Sequence, residues 1–164
     1  MEFKAVDKSK DKRLELIEIH IANLENDAMS ELLRLAENGD DSALVTLGDY
    51  FLGGLNGLPQ NGTLAAFLYE KAVASRNFGA MEKLGDIHFY GLNGAVNMRR
   101  ALVHYTGAVD GHLPHSAFML GKMYEEGIVV DVDLDRAKMW YTASKAYGNT
   151  EADVALERLA KLED

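Results

Sequence analysis

Two groups of residues in this chain have side chains that could support chemistry. The first is the segment "DVDLD", in which Asp131, Asp133 and Asp135 alternate as at the start of an EF-hand calcium loop. Such a loop also needs glycine at its sixth position and a bidentate acid at its twelfth, and these positions hold Arg136 and Thr142. We therefore interpret the segment as a helix start, where acidic side chains cap exposed backbone N–H groups.

The second group consists of histidines. His112 and His115 flank "LP", but no cysteine or nearby acid in the sequence completes a zinc-binding set, so we predict a solvated turn. His88 and His104 lie where similar segments carry aromatic or large apolar residues, and we expect a hydrogen-bonded, half-buried pair; a pH-sensitive contact is the alternative. No nucleophilic side chain lies at a recognisable catalytic-motif spacing from a general base. The sequence therefore predicts a non-enzyme without metal or cofactor.

A repeated string with two glycines marks the elements that must position these side chains. "LGDYFLGG" begins at residue 47, "LGDIHFYG" at 84 and "LGKMYEEG" at 120. Small residues recur every 36 positions in two series, Ala65, Ala101, Ala137 and Ala80, Ser116, Ala152. Apolar residues recur at helical spacing between short loops, which predicts three helix-turn-helix units. The expected helix pairs are 42–52 and 63–76, 79–90 and 98–110, and 115–126 and 134–147.

The first glycine of each string lies on the packing side of its helix, although glycine there costs roughly 1 kcal/mol relative to alanine. We predict that a bulky doublet of the second helix, "LY", "HY" or "WY", fills the space above it. The second glycine should end the helix in the left-handed conformation. These expected C-caps are Gly54, Gly91 and Gly127, and the expected N-caps of the second helices are Asn61, Asn97 and Asp133.

The pattern A-x-x-x-L-G-x-x-Y-x-x-G, followed by D-x-x-x-A-x-x-W-Y, resembles the Sel-1-like repeat, a short relative of the tetratricopeptide repeat. The third unit matches best, with "LGKMYEEG" followed by "DLDRAKMWYTASKAYG", whereas the other units depart at His88, Leu68 and His104. The resemblance covers about residues 41 to 161. It implies an all-α, right-handed superhelix, a solenoid of about three repeats with capping helices at both ends, and a role as a protein-binding scaffold.

We expect one repeat domain over residues 14–164, preceded by a charged arm over residues 1–13. Its repeats should cover 41–78, 79–114 and 115–150. A closing helix is expected over 151–162, with Thr150 and Asp153 as a capping box. Upstream of the repeats, "RLELIEIHIANL" alternates as a strand would, but we favour a capping helix.

The net charge of −9 and the pI near 5.0 argue against binding to nucleic acid or to anionic lipid. Residues 1–13 carry five basic and three acidic residues, which leaves 12 basic and 23 acidic residues in the rest of the chain. An acidic surface favours a basic partner. No apolar leader and no run of 18 apolar residues occurs in the sequence, so we expect a cytoplasmic protein.

Partner binding in a solenoid uses equivalent helix faces of successive repeats. On the first helices, the positions two, six and nine residues after the opening Ala or Ser should lie away from the packing side. They combine acidic and apolar side chains, and they predict a partner with a basic surface and an apolar centre. The predicted binding residues are Asp49, Leu52, Glu82, Asp86, Phe89, Phe118, Lys122 and Glu125. We expect an adaptor or scaffold; the alternative is an immunity-type inhibitor of a basic toxin such as a nuclease.

Overall fold

A computed structural model describes residues 11–24 and 26–162. These ranges fold into nine α-helices and one short 3-10 turn, and they contain no strand. The helices are α1 (Lys12–Ala22), α2 (Asp27–Glu37), α3 (Asp41–Gly53), α4 (Gly62–Val73), α5 (Phe78–Tyr90), α6 (Met98–Ala108), α7 (Pro114–Glu126), α8 (Leu134–Ala146) and α9 (Glu151–Ala160). The predicted all-α fold is confirmed, and the segment that alternates like a strand is helix α1.

The helices stack in chain order as three pairs. Helix α3 packs on α4, α5 on α6 and α7 on α8, while α4–α5 and α6–α7 contacts join the pairs. Helices α1 and α2 precede the first pair, and α9 packs on α8 after the third. The two series of small residues spaced by 36 are completely buried, which explains why no larger side chain occurs at these positions.

The helix ends follow the sequence signals. Gly54, Gly91 and Gly127 have φ values of 64°, 69° and 68° and close α3, α5 and α7, as predicted. The side chains of the three predicted N-caps accept hydrogen bonds from backbone N–H groups at the starts of α4, α6 and α8. Acidic Asp133 is therefore a helix cap rather than part of a calcium loop.

The first glycine of each string contacts a tyrosine ring of the second helix. A Cβ atom at Gly48 would lie 2.6 Å from Tyr69, and a Cβ atom at Gly85 would lie 2.5 Å from Tyr105. In the third unit, the nearest atoms of Tyr141 would lie 2.7 Å from a Cβ at position 121. Real Cβ atoms do not approach other atoms so closely, so only glycine fits at these positions, as the sequence predicts. In α9 the equivalent position holds exposed Glu157.

Two details differ from the expected boundaries and caps. Helix α1 begins at Lys12, within the segment expected to be an arm, because Asp11 caps it by accepting a hydrogen bond from the Arg13 backbone N–H. The rest of that expected arm, residues 1–10, lies outside the described residues. At α9, Thr150 makes no side-chain capping bond; Asn149 accepts a hydrogen bond from the Glu151 N–H instead, so the predicted capping box is wrong.

Candidate partner-binding surface

The eight predicted binding residues lie on the first helices α3, α5 and α7, and all eight are half-buried. Their partial burial has a common cause: most of them contact the next unit in the stack as well as their own. The contacts of each carboxylate show how successive units are joined.

Asp49 of α3 joins the first unit to the second. Its Oδ1 atom accepts a hydrogen bond of 2.7 Å from the Tyr69 hydroxyl of its own unit. The same oxygen lies 3.4 Å from Nζ of Lys83 in α5, the first helix of the next unit. One carboxylate therefore fixes the packed tyrosine and also pairs with a cation of the following unit.

Asp86 of α5 has the same two kinds of contact. Its Oδ1 accepts from the Tyr105 hydroxyl at 2.8 Å and lies 2.8 Å from Nε2 of His115 in α7. The hydrogen bond to Asp86 raises the pKa of His115 despite partial burial, and the charges of Glu82 and Glu151 act in the same direction. Protonation of His115 therefore strengthens the contact between the second and third units. The expected solvated turn is thus wrong for His115, because an acid 29 residues earlier in the chain lies beside it.

In the third unit the carboxylate is three residues further along the helix. Lys122 occupies the position that corresponds to Asp49 and Asp86, and Glu125 accepts the hydrogen bond from the Tyr141 hydroxyl at 2.7 Å. Arg158 of α9 binds both oxygens of Glu125 at 2.9 and 2.6 Å. Burial raises the pKa of Glu125, but the bonds from Arg158 and Tyr141 outweigh it and hold that pKa below its usual value.

The three tyrosines are neutral donors in these contacts. Burial, reinforced by the facing carboxylate, raises the pKa of Tyr69, Tyr105 and Tyr141 well above the usual value for tyrosine. The result is one tyrosine–carboxylate–cation contact at each junction from α3 to α9. We call this set the junction ladder.

Glu82 of α5 caps the neighbouring helix α7. Its Oε2 atom accepts from the backbone N–H and the hydroxyl of Ser116, at 3.0 and 2.7 Å. Helix α7 needs this acceptor because its own N-cap residue, Leu113, makes no side-chain capping bond. The preceding unit therefore supplies a cap that the local sequence of α7 does not contain.

The aromatic residues of the surface form a patch beside Asp86. Phe89 is half-buried, its ring centroid 6.3 Å from that of Tyr105 and 5.9 Å from Nζ of Lys122. Tyr90, 55% exposed, packs edge-on against Phe89 with 5.0 Å between the centroids. Tyr90 was not among the predicted residues, because its position on the helix, ten residues after the opening alanine, falls outside the three selected offsets. Phe118 packs against Tyr141 at 5.2 Å, a contact between α7 and α8 within the third unit.

The histidine pair predicted in the second unit is present, but its rings are stacked rather than hydrogen-bonded. The His88 and His104 centroids are 5.3 Å apart with 14° between the ring planes, and His88 Nε2 is buried without a hydrogen-bond partner. Burial, followed by the charges of His88 and Arg100, lowers the pKa of His104 to about 4. Burial, followed by the charge of Arg100, also lowers the pKa of His88, so both imidazoles are neutral at physiological pH. Within residues 11–24 and 26–162, no cluster of three or more His, Asp or Glu side chains is suited to hold a metal ion.

Comparison with known proteins gives matches along most of the stack. The family model described as the Sel1 repeat matches residues 42–77, 79–110 and 114–146, more than half of the chain. Protein sel-1 homolog 2 of Mus musculus is 36% identical over 81 residues, which cover 48% of this chain and 12% of that protein. Activator of C kinase protein 1 of Saccharomyces cerevisiae is 30% identical over 111 residues, 63% of this chain and 18% of that one. The chain thus spans less than a fifth of the length of either relative.

Two solved structures share the architecture. The Sel1 repeat protein from Oxalobacter formigenes has a TM-score of 0.70 and 30% sequence identity, over 81% of this chain and 99% of that one. A protective antigen of uropathogenic Escherichia coli that displays an SLR fold has a TM-score of 0.72 and 26% identity, over 85% of this chain and 31% of that one. Among the described helices, none has the length and apolar character needed to cross a membrane.

Proposed function

Because this chain belongs to the Sel1 repeat family, whose members generally mediate protein–protein interaction, we propose that it is a non-catalytic scaffold or adaptor. Helices α3, α5 and α7 form the concave face of the superhelix in this proposal, and a segment of a partner protein binds there. The binding residues are those predicted from the sequence, with Tyr90 added: Asp49, Leu52, Glu82, Asp86, Phe89, Tyr90, Phe118, Lys122 and Glu125.

The observation that carries the proposal is the unequal use of the two oxygens of Asp49 and Asp86. Within the described part of the chain, the hydrogen bonds and ion pairs of both residues end on Oδ1. An ionised carboxylate offers about four acceptor sites on its two oxygens. Oδ2 of each residue can therefore accept from a partner while Oδ1 keeps the contacts of the junction ladder. The two side chains are 40% and 25% exposed, which leaves both accessible.

The charge and the aromatic patch indicate the chemistry of the partner. Helix α3 contains two acidic residues and no basic residue, and the chain as a whole has a net charge of −9. Tyr90 and Phe89 supply an apolar centre next to Asp86. Aromatic anchors that become desolvated, with charged groups around them, are the usual energetic centre of a protein interface. We therefore infer a partner segment that presents lysine or arginine side chains around an apolar centre.

Affinity capture with matched variants tests the proposal. The wild-type protein, the Asp49→Asn/Asp86→Asn variant and the Asp131→Asn/Asp135→Asn variant are immobilised and compared by quantitative mass spectrometry. The two double variants lose the same charge, but only the first loses it on the proposed surface. Asparagine keeps an acceptor for the tyrosine hydroxyls, so the fold should survive in both. The expected result is a partner that the wild type and the Asp131/Asp135 variant retain and the Asp49/Asp86 variant loses.

The same experiment separates the two functional classes raised by the sequence. A basic toxin as the retained partner, with its activity inhibited by the captured chain, would assign an immunity-type inhibitor. A non-toxin partner held together with further proteins would assign an adaptor. Equal recovery of every partner by all three proteins would contradict the proposed surface in either class.

A further inference from the structure

The second helices share an outward position two residues after the buried alanine. It is occupied by Phe67 in α4, Val103 in α6 and Met139 in α8, each 36 residues after the last. The exposed fractions differ widely: 5% for Phe67, 68% for Val103 and 53% for Met139. Phe67 is thus buried in the first unit, whereas its counterparts Val103 and Met139 are exposed to solvent in the second and third units.

Helix α1 accounts for the difference in the first unit. The guanidinium carbon of its Arg13 lies 4.2 Å from the centroid of the Phe67 ring, and a guanidinium nitrogen lies 3.9 Å from a Glu70 carboxylate oxygen. Leu14 of α1 packs against the same core cluster as Phe67 and Leu68. Helix α1 therefore covers this face in the first unit, and its Arg13 pairs with the acidic Glu70 of α4.

The charge near the exposed Val103 is positive, whereas Glu70, near Phe67 in the first unit, is negative. Helix α6 carries Arg99 and Arg100 and no acidic residue, and position 106 holds threonine where α4 has Glu70. Val103 follows the two arginines by four and three residues, so all three lie on one side of α6. Across the residues that the structure describes, neither arginine forms an ion pair. Helix α8 also has three basic residues against one acidic residue, but Arg136 pairs with Asp133 and Lys145 with Asp153, so the positive charge of this face comes mainly from α6.

We propose that the outer face of α6 and α8, around Val103 and Met139, is a second docking surface for a helix of a partner protein that presents aliphatic side chains flanked by carboxylates. The surface continues the face on which α1 lies, so the docking mode is already present in the first unit. Burying the exposed aliphatic side chains against an apolar partner stabilises the complex by about 25 cal/mol per Å² of apolar surface buried. A nucleic acid or an anionic membrane would also match the arginines, but each carries many more negative charges than a short helix and is repelled more strongly by the net charge of −9.

This surface lies on the second helices, so it is separate from the acidic surface proposed on α3 and α5. A chain with both surfaces could bridge two partners of opposite charge. The two proposals are therefore independent, and failure of one leaves the other unaffected.

The probe is a fluorescently labelled peptide of residues 11–24, the α1 sequence, with Lys12→Glu and Arg13→Glu. The unmodified peptide serves as the charge control. Binding of each peptide to the intact protein is followed by fluorescence anisotropy at low salt. The acidic peptide should bind at least about tenfold more tightly than the unmodified one, because it brings carboxylates to Arg99 and Arg100.

Variants of the protein locate the binding. Val103→Asp and the pair Arg99→Glu/Arg100→Glu should each weaken binding of the acidic peptide at least about tenfold. Val154→Asp is the matched control, because Val154 on α9 is 66% exposed and lies outside the surface, and it should change nothing. Thermal melting by circular dichroism verifies that each variant is folded.

Equal binding of the two peptides, or binding that persists in both α6 variants, would overturn the proposal. A single-stranded oligonucleotide and vesicles of anionic phospholipid are measured in parallel. Arginine-dependent binding to either of these, with no binding of the acidic peptide, would assign the face to a polyanion and would also overturn it.

Discussion

Replacing Gly85 by alanine adds one methyl group at a close contact between α5 and α6. The new Cβ would lie 2.5 Å from Cε1 and 2.6 Å from Cδ1 of Tyr105, whereas ordinary contacts lie at 3.4–4 Å. The ring must therefore move by about 1 Å to restore normal contact distances. Tyr105 is completely buried, and its hydroxyl donates to Asp86 at 2.8 Å, so the movement disturbs both the core and the junction ladder.

The magnitude follows from three contributions. Overpacking of a close-packed core typically costs about 1–3 kcal/mol. Weakening the hydrogen bond from Tyr105 to the charged Asp86 costs at most about 1.5–3 kcal/mol of stability. Alanine offsets part of this, because it is favoured over glycine inside a helix by about 1 kcal/mol. We expect Gly85→Ala to lower the free energy of unfolding by about 2 kcal/mol.

Gly79→Ala is the matched control on the same helix. A Cβ at Gly79 would have only Asn77 Oδ1 nearby, at 3.4 Å, so the same substitution should leave stability unchanged or raise it by up to about 1 kcal/mol. Urea unfolding followed by far-ultraviolet circular dichroism measures both variants. If Gly85→Ala is as stable as the wild type, the interpretation of the glycine as space for Tyr105 is refuted.

Three further perturbations test individual contacts. The hydrogen bond to Asp86 raises the pKa of His115. Protonated His115 therefore stabilises the fold fully below pH 6.5, and this stabilisation is lost as the pH rises through the raised pKa. The Asp86→Asn variant should not show this loss. The pKa of His104 is lowered to about 4, so stability should decrease by up to about 3 kcal/mol as the pH falls from 6.5 to about 4, and His104→Leu should remove most of the decrease. Glu82→Ala deprives Ser116 of its acceptor and should cost about 1–2 kcal/mol in urea unfolding.

Each of these predictions has a result that would contradict it. A wild-type stability that stays constant above pH 6.5 would contradict the role of His115. An acid-induced decrease that is unchanged in the His104 variant would place the responsible group elsewhere. For Glu82, the control is Glu126→Ala, an exposed acid on α7 whose contact with Lys122 is 4.0 Å, and an equal effect of both variants would argue against interhelical capping.

Packing within a unit could be predicted from the sequence because it recurs in every unit. Glycine paired with tyrosine, buried alanine at a spacing of 36, and capping asparagine or aspartate each appear up to three times. A close contact restricts a position to very few residue types, so the constraint is visible in a single sequence. The predicted helix pairs, the glycine C-caps and the tyrosine packing are confirmed for this reason.

Contacts between units could not be predicted in the same way. The helical offsets indicate which side of α5 is turned away from α6, but the rotation between successive units decides what covers that side. The carboxylates of Asp49 and Asp86 therefore looked more exposed from the sequence than they are, and their partners Lys83 and His115 were missed. One signal was available: Asp49 and Asp86 recur 37 residues apart, while the tyrosines they bind recur 36 apart. The shift of the third carboxylate to Glu125 obscures that series.

The central claim, that an acidic surface on α3 and α5 binds a basic partner, is tested most directly by association kinetics with the captured partner. Stopped-flow measurements over a range of salt concentrations give the association rate for the wild type and for Asp49→Asn/Asp86→Asn. Electrostatic steering predicts a wild-type rate that falls steeply as salt rises, and a slower and less salt-dependent rate for the variant. Identical rates for both proteins, independent of salt, would contradict the claim.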